Sequence, residues 1–205
     1  MKTISRYFVQ MAFPSLAGAI LWLVFYPWRK RRRVKMGYTV GTAREKALFL
    51  LFVFSAGLFS LTLTPPNFWP MVLAGQVPPI PAPFQGEINL VPFRQSFVLL
   101  QYYIRHGMWD AIWVNFPGNV VMFLPFGFFA GLLSDKPTWW KSTLITFGVS
   151  FFIECFQLLV ARGTDVDDLI LNAVGGLLGH GCFLILRRFD PGLVRRCGII
   201  RKGCF

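Results

Sequence analysis

Apolar residues run along this chain in five long blocks separated by short polar or basic segments. Residues 7–28, 47–64, 112–133, 142–161 and 168–186 are each close to the 20 apolar residues that a helix needs to cross a bilayer. A further stretch is periodic rather than continuous. Phe93, Phe97, Leu100, Ile104 and Met108 recur at three- and four-residue spacing, with Arg94, Gln101, Arg105 and Asp110 elsewhere on the same helix. That spacing predicts an amphipathic helix, lying on a leaflet or packed on the bundle. Before it, "PPNFWPMVLAGQVPPIPAPFQGE" carries seven prolines and reads as an extended or polyproline-like strap. The expected fold class is all-α, a polytopic membrane helix bundle of about five transmembrane helices with an outer amphipathic helix. The chain divides into a first span with its basic loop (1–46), a main membrane domain (47–187) and a basic tail (188–205).

Composition supports a membrane protein. The chain is 55% hydrophobic and 15% charged, where a soluble domain is nearer about a quarter charged. The net charge of +12 suggests nucleic acid at first sight. The basic residues, however, sit in short segments between apolar runs and no nucleic-acid reader motif is present, so no nucleic-acid partner is expected. Sixteen of the 21 Lys/Arg fall on one side of the proposed spans: Arg29 to Lys46, Lys136 and Lys141, and Arg187 onward. The other side holds Lys2, Arg6, Arg94, Arg105 and Arg162. The positive-inside rule then puts the amino terminus outside and the carboxyl terminus in the cytoplasm of an inner, cytoplasmic membrane. Trp28, Trp139 and Trp140 fall at the inner boundary and Trp109 and Trp113 at the outer one, as an aromatic belt would. Basic residues follow the first apolar run instead of preceding it, so that run is read as a retained span and not as a cleaved signal. Cys155, Cys182, Cys197 and Cys204 form no CxxC pair and lie away from both histidines, so neither a metal site nor a disulfide framework is expected, and no cofactor.

Polar residues inside spans carry the candidate chemistry, because each is costly in hydrocarbon. Running outside to inside, the third span places Asn115 and Asn119 in its outer part, around Pro117 and Gly118, which loosen the helix. The fourth places Glu154 and Gln157 on one face of its outer half, with Arg162 at its outer end. The fifth begins at Asp165, Asp167 and Asp168, with Asn172 one turn in. Polar side chains of three spans therefore reach one depth, the outer leaflet. Each also has a local reading. Asp165 and Asp168 fit the N-cap and N3 positions of a helix. Asn119 and Asn172 fit interhelical hydrogen bonding, and Gly175 with Gly179 fits close helix packing. Glu154 needs a partner or a proton, and Arg94 and Arg162 are the cations on its side. His106 and His180 look unexceptional.

The stretches "NLVPFR" (89–94), "NVVMFLPFGFF" (119–129), "IECFQ" (153–157), Arg162 and "DVDDLILNAVGGLLG" (165–179) together resemble the VanZ-like family, over residues about 48 to 187. That resemblance implies a small bacterial envelope protein of the kind whose founding member is associated with low-level teicoplanin resistance. It supplies a context, not a mechanism.

Three functions compete. The first is binding or handling of an envelope lipid or lipid-linked wall precursor, in an outer pocket lined by Asn119, Glu154, Gln157, Arg162, Asp165, Asp168 and Asn172, with Arg94 forking onto a phosphate. The second is an enzyme on such a lipid, using carboxylates as general base or as oxygen ligands for a divalent cation. Asp165, Asp167 and Asp168 would be the ligands, but Asp165 and Asp168 share a helix face while Asp167 points away, so only two easily converge, and no Ser–His–Asp or Cys–His arrangement is evident. The third is a small transporter, for which the break at "FPG" is a weak sign and inverted repeats are missing.

Overall fold

The computed structural model of this protein describes residues 2–39, 41–65, 67–78, 88–160, 163–198 and 200–201. Nine helices follow one another in that part of the chain: α1 (Lys2–Lys35), α2 (Thr42–Leu63), α3 (Phe68–Leu73), α4 (Arg94–Arg105), α5 (Trp109–Asn115), α6 (Pro117–Leu133), α7 (Trp139–Leu159), α8 (Val166–Phe189) and α9 (Pro191–Cys197). Five segments are long and apolar enough to cross a membrane, at Phe8–Lys35, Thr42–Leu63, Trp109–Leu133, Trp139–Leu159 and Val166–Phe189. The expected all-α bundle is therefore observed. The strands are two-residue bridges: β1 (Tyr38–Thr39) pairs antiparallel with β4 (Ile200–Arg201), and β2 (Ile88–Asn89) pairs in parallel with β3 (Thr164–Asp165).

The bundle is built around α8, which packs most extensively on α6 and next on α7. In hydrocarbon there is little hydrophobic gain in joining two apolar helices, so close backbone approach and van der Waals contact do this work. Gly179 lies so close to α6 that an added Cβ would overlap the carbonyl oxygen of Leu124, and Gly176 lies against Thr146 of α7. The two ends of the core differ. Leu58, Phe123, Phe126 and Ile153 form one buried cluster, and Ala47, Leu132, Phe183 and Cys197 the other. α1 packs on α2 at the periphery and keeps most of its apolar surface outward, as a lipid-facing helix would.

Polar groups tie the basic end together. Glu45 accepts from Arg33 at 2.7 Å and from Arg29 at 3.4 Å, and the Arg29 guanidinium also lies 3.7 Å from the centroid of the Trp22 ring. Arg44 donates to the carbonyls of Leu133 (3.0 Å) and Cys197 (2.7 Å), clamping the end of α6 to the end of α9. Burial there pushes the Cys197 thiol up, against the opposing pull of Arg44 and Arg196.

Two expectations change. The proline-rich segment is not wholly extended, because Phe68–Leu73 is a helix. Pro70 falls at its third position, where the missing N–H breaks no helical bond; residues 79–87 lie outside the described residues. The amphipathic helix stops at Arg105 and does not reach Met108, because Gly107 turns the chain at φ +63° into α5. Phe97, Val98 and Ile104 stay exposed, so the apolar side of α4 is not covered by the bundle.

The glycine contact yields a direct test. Gly179→Ala should lower stability by about 1–3 kcal/mol or more through overpacking, whereas Gly148→Ala should be neutral or better, since nothing lies within 4 Å of a Cβ there. Thermal unfolding of the detergent-purified variants distinguishes them; equal melting temperatures would contradict this packing.

Candidate functional site

The candidate site is the first turn of α8 and what surrounds it. A helix start leaves its first N–H groups without intrahelical partners, and in a membrane protein these must be satisfied internally. Asp165 is the N-cap and accepts from the Asp167 N–H at 3.0 Å. It accepts also from the Asn89 side chain at 3.0 Å, next to the parallel β2–β3 bridge. Its own N–H donates to the Glu154 carboxylate at 3.3 Å, and the Thr164 hydroxyl donates to the Glu154 carbonyl at 3.2 Å. Glu154 is buried on α7. Asp168, one turn past the cap, accepts from Asn119 of α6 at 2.6 Å. Asn119 donates also to the Asn115 carbonyl at 3.1 Å, at the α5–α6 break that Pro117 and Gly118 predict. Thus Asn119, Glu154, Asp165 and Asp168 do meet at one end of the bundle.

Asp168 is not the capping partner that its position suggested, since it reaches across to α6. Asn172 follows its local reading as an interhelical hydrogen-bonding residue and does not join the acidic group. It donates to Ser150 of α7 at 2.8 Å, one turn deeper than Glu154, and its Oδ1 is buried without a hydrogen-bond partner among the described residues. Gln157 turns away from the acidic residues and donates to the Thr62 carbonyl of α2 at 3.2 Å. Arg94 is exposed at the start of α4 and holds no hydrogen bond or ion pair among the described residues. Arg162 lies outside the described residues. His180 is less ordinary than it looked: its ring, buried, shares a 2.8 Å hydrogen bond with Ser142, which continues the polar α7–α8 seam toward the other end.

Asp167 is the residue whose partners the sequence did not reveal. It was expected to point away from Asp165 and Asp168, and it does, but into α4 and not into lipid. It is only 2% exposed. Its carboxylate accepts from the Phe93 N–H at 2.6 Å and from the Ser96 hydroxyl. Phe93 adopts φ +63°, a left-handed conformation unusual for an aromatic residue, and this aims its N–H at Asp167. "NLVPFR" is therefore the segment that fastens the amphipathic helix to the acidic turn. The signal was present in "VDDL", where two adjacent acids on a helix cannot share one face.

The Asp168 carboxylate lies near enough to those of Glu154, Asp165 and Asp167 to be repelled by them, and Glu154 is also repelled by Asp165. Among the described residues no three His, Cys, Asp or Glu side chains are arranged to hold a metal ion. What the arrangement offers is a group of acceptors, each partly used by amide and hydroxyl donors, beneath a surface helix.

A helix bundle with five segments able to cross a membrane and a polar first turn at one end defines a multi-pass membrane protein. The VanZ/LLP1 family model matches residues 13–187, and the chain belongs to that family, which is named for teicoplanin resistance. The match takes in most of the first span, which the motifs "NLVPFR" to "DVDDLILNAVGGLLG" did not reach. No curated protein and no solved structure matches the chain.

Asp167→Ala removes both acceptors from α4, each such bond to a charged group contributing about 1.5–3 kcal/mol. Trypsin cleavage at Arg94 should then accelerate by roughly tenfold or more at unchanged helical content. An unchanged cleavage rate would mean that α4 is held by something other than Asp167.

Proposed function

We propose that this VanZ/LLP1 protein binds the headgroup of an envelope lipid, or of a lipid-linked wall precursor, at the outer leaflet. The observation that carries this reading is the meeting of α6, α7 and α8 at Asn119, Glu154, Asp165 and Asp168, roofed by an amphipathic helix with an outward apolar side. The positive-inside rule puts this end outside, because the basic residues crowd the opposite end. A lipid whose headgroup offers hydroxyl or amine donors would take over hydrogen bonds that Asn119 and the helix start now make to the carboxylates. The apolar side of α4 would lie along its acyl chain. Arg94, without a partner among the described residues at the start of α4, would reach a phosphate of the same molecule. Sequestering or shielding such a lipid would lower susceptibility to a lipoglycopeptide such as teicoplanin, which carries an acyl chain and acts at that surface.

The test is the lipid that accompanies the purified protein. Mass spectrometry of the wild type should find one envelope lipid enriched over the bulk membrane. Glu154→Gln and Asp168→Asn should each reduce that enrichment by about tenfold, the effect of weakening one charge-assisted hydrogen bond, at unchanged expression and elution. If both variants keep the lipid, the acidic turn is structural and this reading fails. New lipid products after incubation with lipid extract and divalent cations would favour an enzyme instead.

A further inference from the structure

The opposite end of the bundle holds an open cavity of about 470 Å³ between the ends of α6 and α8, the α6–α7 connection and α9. That volume lies within the usual range for a small-ligand pocket. Its floor is apolar, with Leu132 and Phe183, and its rim carries Ser134, Asp135, Arg187 and Arg195. The two arginines come from different helices and hold no hydrogen bond or ion pair among the described residues. Helix carboxyl ends ordinarily repel anions. Here Arg44 donates to the carbonyls of Leu133 and Cys197, which offsets that partial charge and fixes α9 against α6. Asp190 caps α9 by accepting from the Leu193 N–H at 2.8 Å, so the wall that carries Arg195 is set in place.

We propose that this cavity is a second binding site, for a phosphate-bearing anionic headgroup. Two guanidiniums fork onto phosphate oxygens, and Ser134 and Asp135 stand ready for headgroup hydroxyls. The apolar floor receives the adjoining glycerol and first acyl carbons. A general attraction of the basic end for anionic membranes is a separate effect. Arg188 and Arg196 separate the two, because they carry the same charge on the same helices but do not line the cavity.

Native mass spectrometry of the full chain with phosphatidylglycerol tests this, with phosphatidylcholine as the neutral comparison. Arg187→Gln with Arg195→Gln should reduce retention of phosphatidylglycerol by about tenfold, the loss of roughly one charge-assisted contact. Arg188→Gln with Arg196→Gln should leave it within about twofold, since exposed charges outside the cavity contribute little. Retention of phosphatidylglycerol against millimolar inorganic phosphate assigns the site to the lipid, and displacement assigns it to free phosphate. Equal loss in both double variants, no loss in either, or equal binding of phosphatidylcholine would overturn the proposal. Gel-filtration profiles and melting temperatures matching the wild type establish that the variants are folded.

Discussion

A polar group that enters hydrocarbon must find its partner within the protein, and the first turn of α8 is where this constraint falls most heavily. Four carboxylates, the backbone N–H groups of a helix start and two asparagine side chains are gathered there. Satisfying them requires three spanning helices and one surface helix to be in register at the same time. Asp165 fixes the turn itself, Glu154 fixes α7 against it, Asp168 fixes α6, and Asp167 fixes α4. The rest of α8 then runs down a close, glycine-lined contact with α6, where Gly179 allows backbone to approach backbone. The hydrogen bonds set which helices meet, and the small residues set how near they come.

Much of this was legible from residue order. Spans are readable because the bilayer demands a fixed length of apolar helix, and the structure moves the expected ends by only a few residues in either direction, apart from α1, which continues as one helix through the basic run to Lys35. The shared depth of Asn119, Glu154 and the Asp165–Asp168 turn was readable because rise per residue converts position to depth. Direction was not readable. Whether Gln157 turns to the acids or to the Thr62 carbonyl depends on where α2 lies, which no local pattern encodes. Asp167 looked outward because its partner, the Phe93 N–H, is distant in sequence and rests on an unusual left-handed backbone. Ser150 and Ser142 are small enough to pass for packing residues, so their bonds to Asn172 and His180 left no mark in the hydropathy pattern.

The charge distribution joins the two ends into one account. Acidic residues are concentrated at the start of α8, and most of the cations lie at the far end, around Arg44, Arg187 and Arg195. Such a chain has a strong preference for one orientation in a membrane whose cytoplasmic side retains basic loops. Under the two proposals, the same asymmetry would give each end a different ligand chemistry: donors to carboxylates at one, phosphate at the other. Both readings rest on which residues each end presents, and the first also depends on which side it faces.

Sidedness is therefore the most direct measurement. A single cysteine at Gly163→Cys, beside the α8 start, and another at Lys136→Cys at the basic end, are each introduced with Cys155, Cys182, Cys197 and Cys204 replaced by serine. Intact cells are then treated with a membrane-impermeant maleimide. The account predicts rapid labelling at position 163 in intact cells and labelling at position 136 only after permeabilisation. Labelling at 136 in intact cells, with 163 protected until permeabilisation, would place the acidic turn in the cytoplasm and contradict an outer-leaflet site.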